Sequence, residues 1–155
     1  MDVNRIHRLL SWPAALYIAG ILLWYEQCEP TGNPGPVWLF TVITDWLFLD
    51  GYEEKPFRLF VATMEIAATV LVVLPSTRMA GAALALCVMS GAIFFHVASP
   101  LGIDPHKDGA ALFKEAIGAW PCAAFVLFSY RLFSYRQAIL AMAKTLVPRI
   151  SRAST

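Results

Sequence analysis

Charge is scarce in this sequence. Only 15% of its 155 residues are Asp, Glu, Lys or Arg, whereas about a quarter are charged in an average soluble domain. Hydrophobic residues make up 58% and gather into long runs, which indicates that lipid is the solvent for much of the chain. Because the formal net charge is only +1, no overall basic field is available for binding nucleic acid, and we expect no nucleic-acid partner.

Motifs for redox and metal chemistry are also missing. The chain contains no nucleotide, flavin or iron–sulfur motif, and its three cysteines form no C-x-x-C pair of the thioredoxin kind. His96 and His106 lie near two aspartates, but their spacing matches no established metal motif, so we expect no metal site. A redox centre, if the protein works with one, would have to come from a partner protein.

Four apolar segments have the length of roughly 16–20 residues that a membrane-spanning helix requires. Helices are favoured because each satisfies its backbone polar groups within its own segment. The first segment follows two arginines, as in a signal peptide, but it ends at Trp24-Tyr25-Glu26 without a small-residue cleavage site and is interpreted as an uncleaved span. The segments are residues 9–25, 59–74, 79–98 and 116–133. They predict an all-α fold, an integral membrane four-helix bundle. Gly81-x-x-x-Ala85 in the third segment favours close packing of helices.

Lysine and arginine are distributed unevenly between the ends of these segments. Suppose that the N-terminus, the turn at 75–78 and the C-terminal tail share one side. That side then holds eight of the twelve Lys and Arg residues, five of them after residue 130. The positive-inside rule makes it cytoplasmic, so both termini are expected in the cytoplasm, with a bacterial inner membrane as the location. Residues 1–133 form the predicted transmembrane domain, and 134–155 a basic amphipathic tail on the inner leaflet.

The first outer loop, residues 27–56, contains a further apolar stretch. The loop begins with several prolines and glycines, which argue against a regular helix over residues 30–36. Residues 37–49 follow and are too short to span, while Trp38 and Trp46 favour the headgroup region. This stretch therefore predicts an interfacial or re-entrant helix, which serves either as a membrane-surface anchor or as a lid over the bundle.

A set of short motifs resembles the DoxX-like family of small four-helix membrane proteins over about residues 6–133. The motifs are Leu23-Trp-Tyr-Glu26, Thr31-Gly-Asn-Pro-Gly-Pro-Val-Trp-Leu-Phe40, Lys55-Pro-Phe-Arg-Leu-Phe60 with Glu65, Met89-Ser-Gly-Ala-Ile-Phe-Phe-His96 and Ser99-Pro-Leu-Gly-Ile-Asp104. Some relatives are linked to oxidation of sulfur compounds that feeds quinone, and others to oxidative-stress assemblies. The resemblance implies a membrane subunit of a redox or quinone-linked assembly, with a protein partner and with quinone as the cofactor to expect.

Five ionisable residues fall at similar depth near the outer ends of the predicted spans. Each requires a structural or functional explanation, because placing a charged side chain inside a bilayer costs free energy. The set is Glu26, Glu65, His96, Lys114 and Glu115. One interpretation is an outward-facing polar cavity in which Glu65 and His96 bind a ligand head or protons, with Lys114 as the countercharge. The other is a structural network in which Glu65 pairs with Lys114 or Arg58. A small transporter or ligand-binding protein, and an assembly factor without chemistry, are the alternative functions.

Overall fold

The structure is a computed structural model that describes residues 3–26, 31–48 and 53–129, and over these ranges the chain is helical and contains no strand. Three of the helices are long and apolar enough to cross a membrane, namely α3, α4 and α5. The apolar part of α1, Ser11–Tyr25, is shorter. The tail predicted as an amphipathic helix lies outside the described residues. The helices are α1 (Val3–Glu26), α2 (Pro34–Trp46), α3 (Glu54–Val73), α4 (Arg78–Ala98) and α5 (Ala111–Ser129).

The interior of the bundle is built mainly from alanine. Eight alanines belong to its core, together with a few larger residues such as Ile18, Leu22 and Val126. Large apolar side chains lie instead on the outside, for example Phe60 at 60% exposure and Phe128 at 60%. Small interior residues let helices approach, and large exterior ones suit a hydrocarbon solvent. Together with the three spanning helices, this arrangement defines the protein as a membrane protein.

Helices α3 and α4 are joined by the short turn expected at 75–78 and pack against each other as a hairpin. Leu74 is extended, with a ψ of 121°, because the following Pro75 disfavours helical geometry at the residue before it. A Cβ added at Gly81 would lie 2.2 Å from the amide nitrogen of Val72. The two backbones therefore approach to a distance that only glycine permits, which confirms the close packing predicted at Gly81.

Arg78 joins three helices at the turn of this hairpin. It is fully buried at the first position of α4, and its Nε and Nη2 donate to the carbonyls of Val72 and Val73 at 2.9 and 3.0 Å. These carbonyls belong to the end of α3, where no intrahelical donor remains. Its Nη1 also donates to Ser11 at 3.3 Å, and its guanidinium lies 4.0 Å from the ring centroid of Trp12. The residue that the sequence marks as a topology signal thus connects α1, α3 and α4.

Helix α2 begins earlier than the sequence indicates. The prediction that prolines and glycines exclude a helix is wrong from Pro34 onward. Proline is tolerated in a first helical turn, because the N–H groups there have no intrahelical acceptor. The side chain of Asn33 accepts a hydrogen bond from the N–H of Gly35 at 3.4 Å and so caps the helix.

Helix α2 packs against the bundle. Phe40, Ile43 and Thr44 are buried, and the indole of Trp46 lies 6.1 and 6.2 Å from the rings of Phe94 and Phe95. The Thr44 hydroxyl donates to the carbonyl of Phe40 at 2.9 Å, which satisfies the hydroxyl within its own helix. One face of α2 is therefore docked on α3 and α4.

Candidate ligand-binding cavity

A cavity of about 310 Å³ lies inside the bundle, and all five helices that the structure describes contribute to its wall. Its volume is at the lower end of the range of about 300–1,000 Å³ that is usual for small-molecule sites. Most of the wall is aliphatic or aromatic, including Phe40 and Ile43 of α2. Helix α2 therefore closes one side of the cavity.

Four side chains with strongly polar groups line this cavity: Tyr25, Glu65, His96 and Glu115. Three of them belong to the set predicted from the sequence. Lys114 is exposed and does not line the cavity, and its Nζ lies 4.0 Å from where a Gly109 Cβ would stand. The side chain of Glu26 lies outside the described residues. The structure thus brings Glu65, His96 and Glu115 to one cavity, and Lys114 is not among the residues that line it.

Glu65 faces the interior of the bundle. It is 8% exposed, and it shares the buried face of α3 with Ala62, Ala68, Thr69 and Val72 at helical spacing. The interior orientation predicted from the cost of a carboxylate in lipid is therefore confirmed.

The imidazole of His96 is held in one orientation by the loop after α4. The ring is 5% exposed, and Nδ1 donates to the carbonyl of Gly102 at 2.7 Å. Because a carbonyl only accepts, the proton of the neutral ring is on Nδ1, and Nε2 is then an acceptor. Gly102 has a φ of 73°, a left-handed conformation that glycine adopts without strain. The ring of Phe113 packs against the imidazole at 5.7 Å between centroids.

Tyr25 connects α1 to α5 across the cavity. Its hydroxyl donates to Oε2 of Glu115, ninety residues further along the chain. Tyr25 is not among the residues predicted from the sequence, because a tyrosine at the end of a span is typical of the membrane interface and signals nothing more. Only the packing of α1 beside α5 reveals its partner.

A buried ion pair lies on the same face of α3, nearer its start. The Nε of Arg58 donates to Oε1 of Glu54 at 2.5 Å, and the two residues are 4% and 9% exposed. Their i, i+4 spacing is the signal in the sequence that could have identified the pair. Neither residue lines the cavity.

The electrostatic character of the cavity follows from these residues. Among the described residues that line it, two are carboxylic acids and none is lysine or arginine. When they are ionised, the two carboxylates only accept hydrogen bonds, and the neutral imidazole of His96 offers a further acceptor at Nε2. The part of the cavity wall formed by Tyr25, Glu65, His96 and Glu115, which we call the polar end, is therefore rich in acceptors. It suits a ligand whose head donates hydrogen bonds or carries positive charge, and it disfavours an anion.

The polar residues of the α4–α5 connection have local structural roles. Asp104 Oδ1 accepts from the N–H of Asp108, and Asp108 Oδ1 accepts from the N–H of Ala111 at the start of α5, both at 3.0 Å. Backbone N–H groups, that of Ala110 first, hold the pKa of Asp104 below its usual range. His106 stacks at 5.8 Å from Trp38 of α2. Within the described ranges, no three His, Cys, Asp or Glu residues are grouped so as to hold a metal ion.

No protein-family model, curated protein or solved structure that was compared with the chain matches it. The resemblance to the DoxX-like family therefore rests on the short motifs quoted above and stays a prediction.

Proposed function

We propose that this protein is the membrane subunit of a redox or quinone-linked assembly, and that its cavity binds an amphipathic molecule of the hydroquinone type. The observation that carries the proposal is one apolar cavity that also contains Tyr25, Glu65, His96 and Glu115. The apolar wall suits an aromatic ring, and the acceptors suit its hydroxyl groups. A protein partner would supply the redox centre, because the sequence contains no motif for one.

The residues of the polar end have separate roles in this proposal. A hydroquinone supplies electrons and protons together when it is oxidised. Glu65 and the Nε2 atom of His96 accept hydrogen bonds from its hydroxyls, and they can receive the released protons. Tyr25 keeps the Glu115 carboxylate oriented from the opposite helix. The Gly102 carbonyl keeps Nε2 of His96 available as the acceptor.

The proposed placement in the membrane has four spans, α1, α3, α4 and α5, with α2 at the outer surface. Helix α1 has 24 residues, about 36 Å at 1.5 Å per residue, and its apolar part, Ser11–Tyr25, covers about 23 Å of a bilayer core that is about 30 Å thick. The cation distribution supports cytoplasmic termini and an inner-membrane location. In this orientation the cavity lies in the outer half of the bilayer, beneath α2.

Binding of a synthetic hydroquinone with a ten-carbon tail tests the proposal directly. The purified protein in lipid nanodiscs is titrated with this probe while tryptophan fluorescence is recorded. Glu65→Gln should weaken binding about tenfold, since hydrogen bonds to charged groups contribute about 1.5–3 kcal/mol. Glu53→Gln at the start of the same helix is the matched control, because Glu53 is exposed and does not line the cavity. Wild-type protein that shows no saturable binding refutes the proposal.

Two related probes test the character of the polar end. The oxidised quinone with the same tail lacks the two hydroxyl donors and should bind more weakly than the hydroquinone. A fatty acid of equal length should not compete, because its carboxylate would face Glu65 and Glu115. Tighter binding of the fatty acid would contradict the acceptor-rich assignment.

A second candidate function is the binding or transport of a lipophilic amine. It is favoured by the two carboxylic acids of the cavity and by the absence of lysine and arginine among its described lining residues. A long-chain amine that displaces the hydroquinone at lower concentration would support this candidate over the first. A protein that binds neither probe, and that keeps its cellular role with Glu65 and His96 neutralised, would be an assembly factor.

A further inference from the structure

The cavity reaches the exposed lateral surface of the α3–α4 hairpin. Phe60 of α3 and Cys87 of α4 both line the cavity and are both exposed, Phe60 to 60%. Gly91 lines it too, one helical turn after Cys87, and no atom lies within 4 Å of where its Cβ would stand. The wall is therefore thin or open between Phe60 and the Cys87–Gly91 stretch.

The surface around this opening is apolar. On α3, Leu59 and Ile66 are 38% and 46% exposed, and on α4 Phe94 is 54% exposed. Both helices are long and apolar enough to span the bilayer, so this surface faces hydrocarbon. On another side the cavity is closed by α2 through Phe40 and Ile43. A molecule dissolved in the bilayer thus meets an opening, whereas one arriving over α2 meets a packed helix.

We infer that the cavity is entered laterally from the lipid between Phe60 and Gly91, and that its ligand is a lipid whose hydrocarbon tail leaves the protein at that opening. The inference rests on the proposed function in one respect, namely that the cavity binds a small molecule. The volume of about 310 Å³ supports it, because a space at the lower limit of ligand pockets holds a ring-sized head and little else. The rest of a long tail must lie in the bilayer.

The test compares two probes on two variants. The probes are a hydroquinone with a methyl group and one with a ten-carbon tail, with affinities expressed per mole of lipid. Gly91→Phe places a ring in the opening. Gly20→Phe is the matched control, because Gly20 is also a helical glycine with no contact within 4 Å of an added Cβ, but it does not line the cavity.

Gly91→Phe should weaken binding of the long-tailed probe about tenfold and leave the methyl probe within about twofold, while Gly20→Phe changes neither. Equal losses for both probes would mean that the new ring fills the head site, and no loss for either would mean that no tail leaves there. Both results overturn the inference while the proposed function stands. Failure of the wild type to bind either probe overturns the proposed function itself.

Wild-type protein gives an independent measurement that does not depend on folding of a variant. The thiols are labelled with a membrane-soluble maleimide, and the labelling of Cys87 and Cys122, two of the three cysteines, is quantified by mass spectrometry. The long-tailed probe should protect Cys87, which lines the cavity, and should leave Cys122 unprotected, since Cys122 on α5 does not line it. Equal labelling of Cys87 with and without the probe, under conditions where the probe is bound, contradicts the tail position.

Discussion

Three glycine-to-alanine substitutions form a graded test of how closely the helices pack. At Gly81 the added methyl would lie 2.2, 2.5 and 2.6 Å from backbone atoms of Leu71 and Val72. At Gly118 the nearest atom is the hydroxyl oxygen of Tyr17, at 2.7 Å. At Gly91 nothing lies within 4 Å. The added methyl group therefore meets backbone atoms at Gly81, a movable side chain at Gly118 and empty space at Gly91.

The expected free energies of unfolding follow from these distances. Non-bonded carbon contacts are optimal at about 3.5–4.0 Å, so α3 must move away from Gly81→Ala by roughly 1 Å. Overpacking of this kind costs about 1–3 kcal/mol, and alanine recovers up to about 1 kcal/mol of helix propensity. We expect a net loss of about 2 kcal/mol at Gly81. At Gly118 the change should be close to zero, because the 42% exposed ring of Tyr17 can rotate away. At Gly91 we expect a gain of up to about 1 kcal/mol.

Reversible unfolding in mixed micelles measures this series, with helix content followed by circular dichroism as the fraction of denaturing detergent rises. Gly91→Ala lies on the same helix as Gly81→Ala and therefore controls for propensity and for micelle effects. The reasoning is refuted if Gly81→Ala is as stable as Gly91→Ala, because the backbones of α3 and α4 would then not be in contact at Gly81.

Three further outcomes are expected. Arg78→Met should lower stability by about 2–4 kcal/mol in the same unfolding assay, since it leaves two buried carbonyls of α3 without donors, and Arg78→Lys should lose less; an unchanged midpoint for Arg78→Met would exclude the joining role. Gly102→Ala should weaken hydroquinone binding, because it strains the loop that holds His96, whereas Gly32→Ala, with the same left-handed backbone far from His96 in sequence, should cost stability alone. Reporter fusions after Thr155 and within the first outer loop should give cytoplasmic and external signals respectively, and an external signal after Thr155 would contradict the four-span placement.

The sequence predicts well what the bilayer itself constrains. The third apolar segment, predicted at 79–98, is the helix Arg78–Ala98. The interior orientation of Glu65 is also predictable, because a carboxylate facing lipid costs about 2.5–3.5 kcal/mol. In both cases the free energy of placing a group in lipid determines the structure, and contacts with the rest of the fold are not needed to predict it.

The sequence does not predict features that depend on contacts between distant segments or on details of the backbone. The bond from Tyr25 to Glu115 depends on α1 lying beside α5, which no local pattern encodes. Helix α5 begins at Ala111, five residues before the predicted span, because the charged pair Lys114-Glu115 interrupts the apolar run that hydropathy detects. The burial of Arg78 was missed for a related reason: the charge count gives its side of the membrane, while its acceptors come from three-dimensional packing.

The two ends of the α3–α4 hairpin differ in the size of the side chains between the helices, and this difference accounts for the position of the cavity. Near the turn, Gly81 sets the spacing and the backbones touch. Toward the other end large rings lie between the helices, with Phe57 and Phe95 at 6.3 Å between centroids. Since the distance between packed helices depends on the side chains at their contact, α3 and α4 must diverge away from the turn. The resulting space contains the acceptor groups, and α2 covers it. Arg78 and His96 are eighteen residues apart on α4, about 27 Å by the helical rise. Substitutions at Arg78 and Gly81 should therefore change unfolding without changing ligand affinity, whereas substitutions at His96 should change ligand affinity.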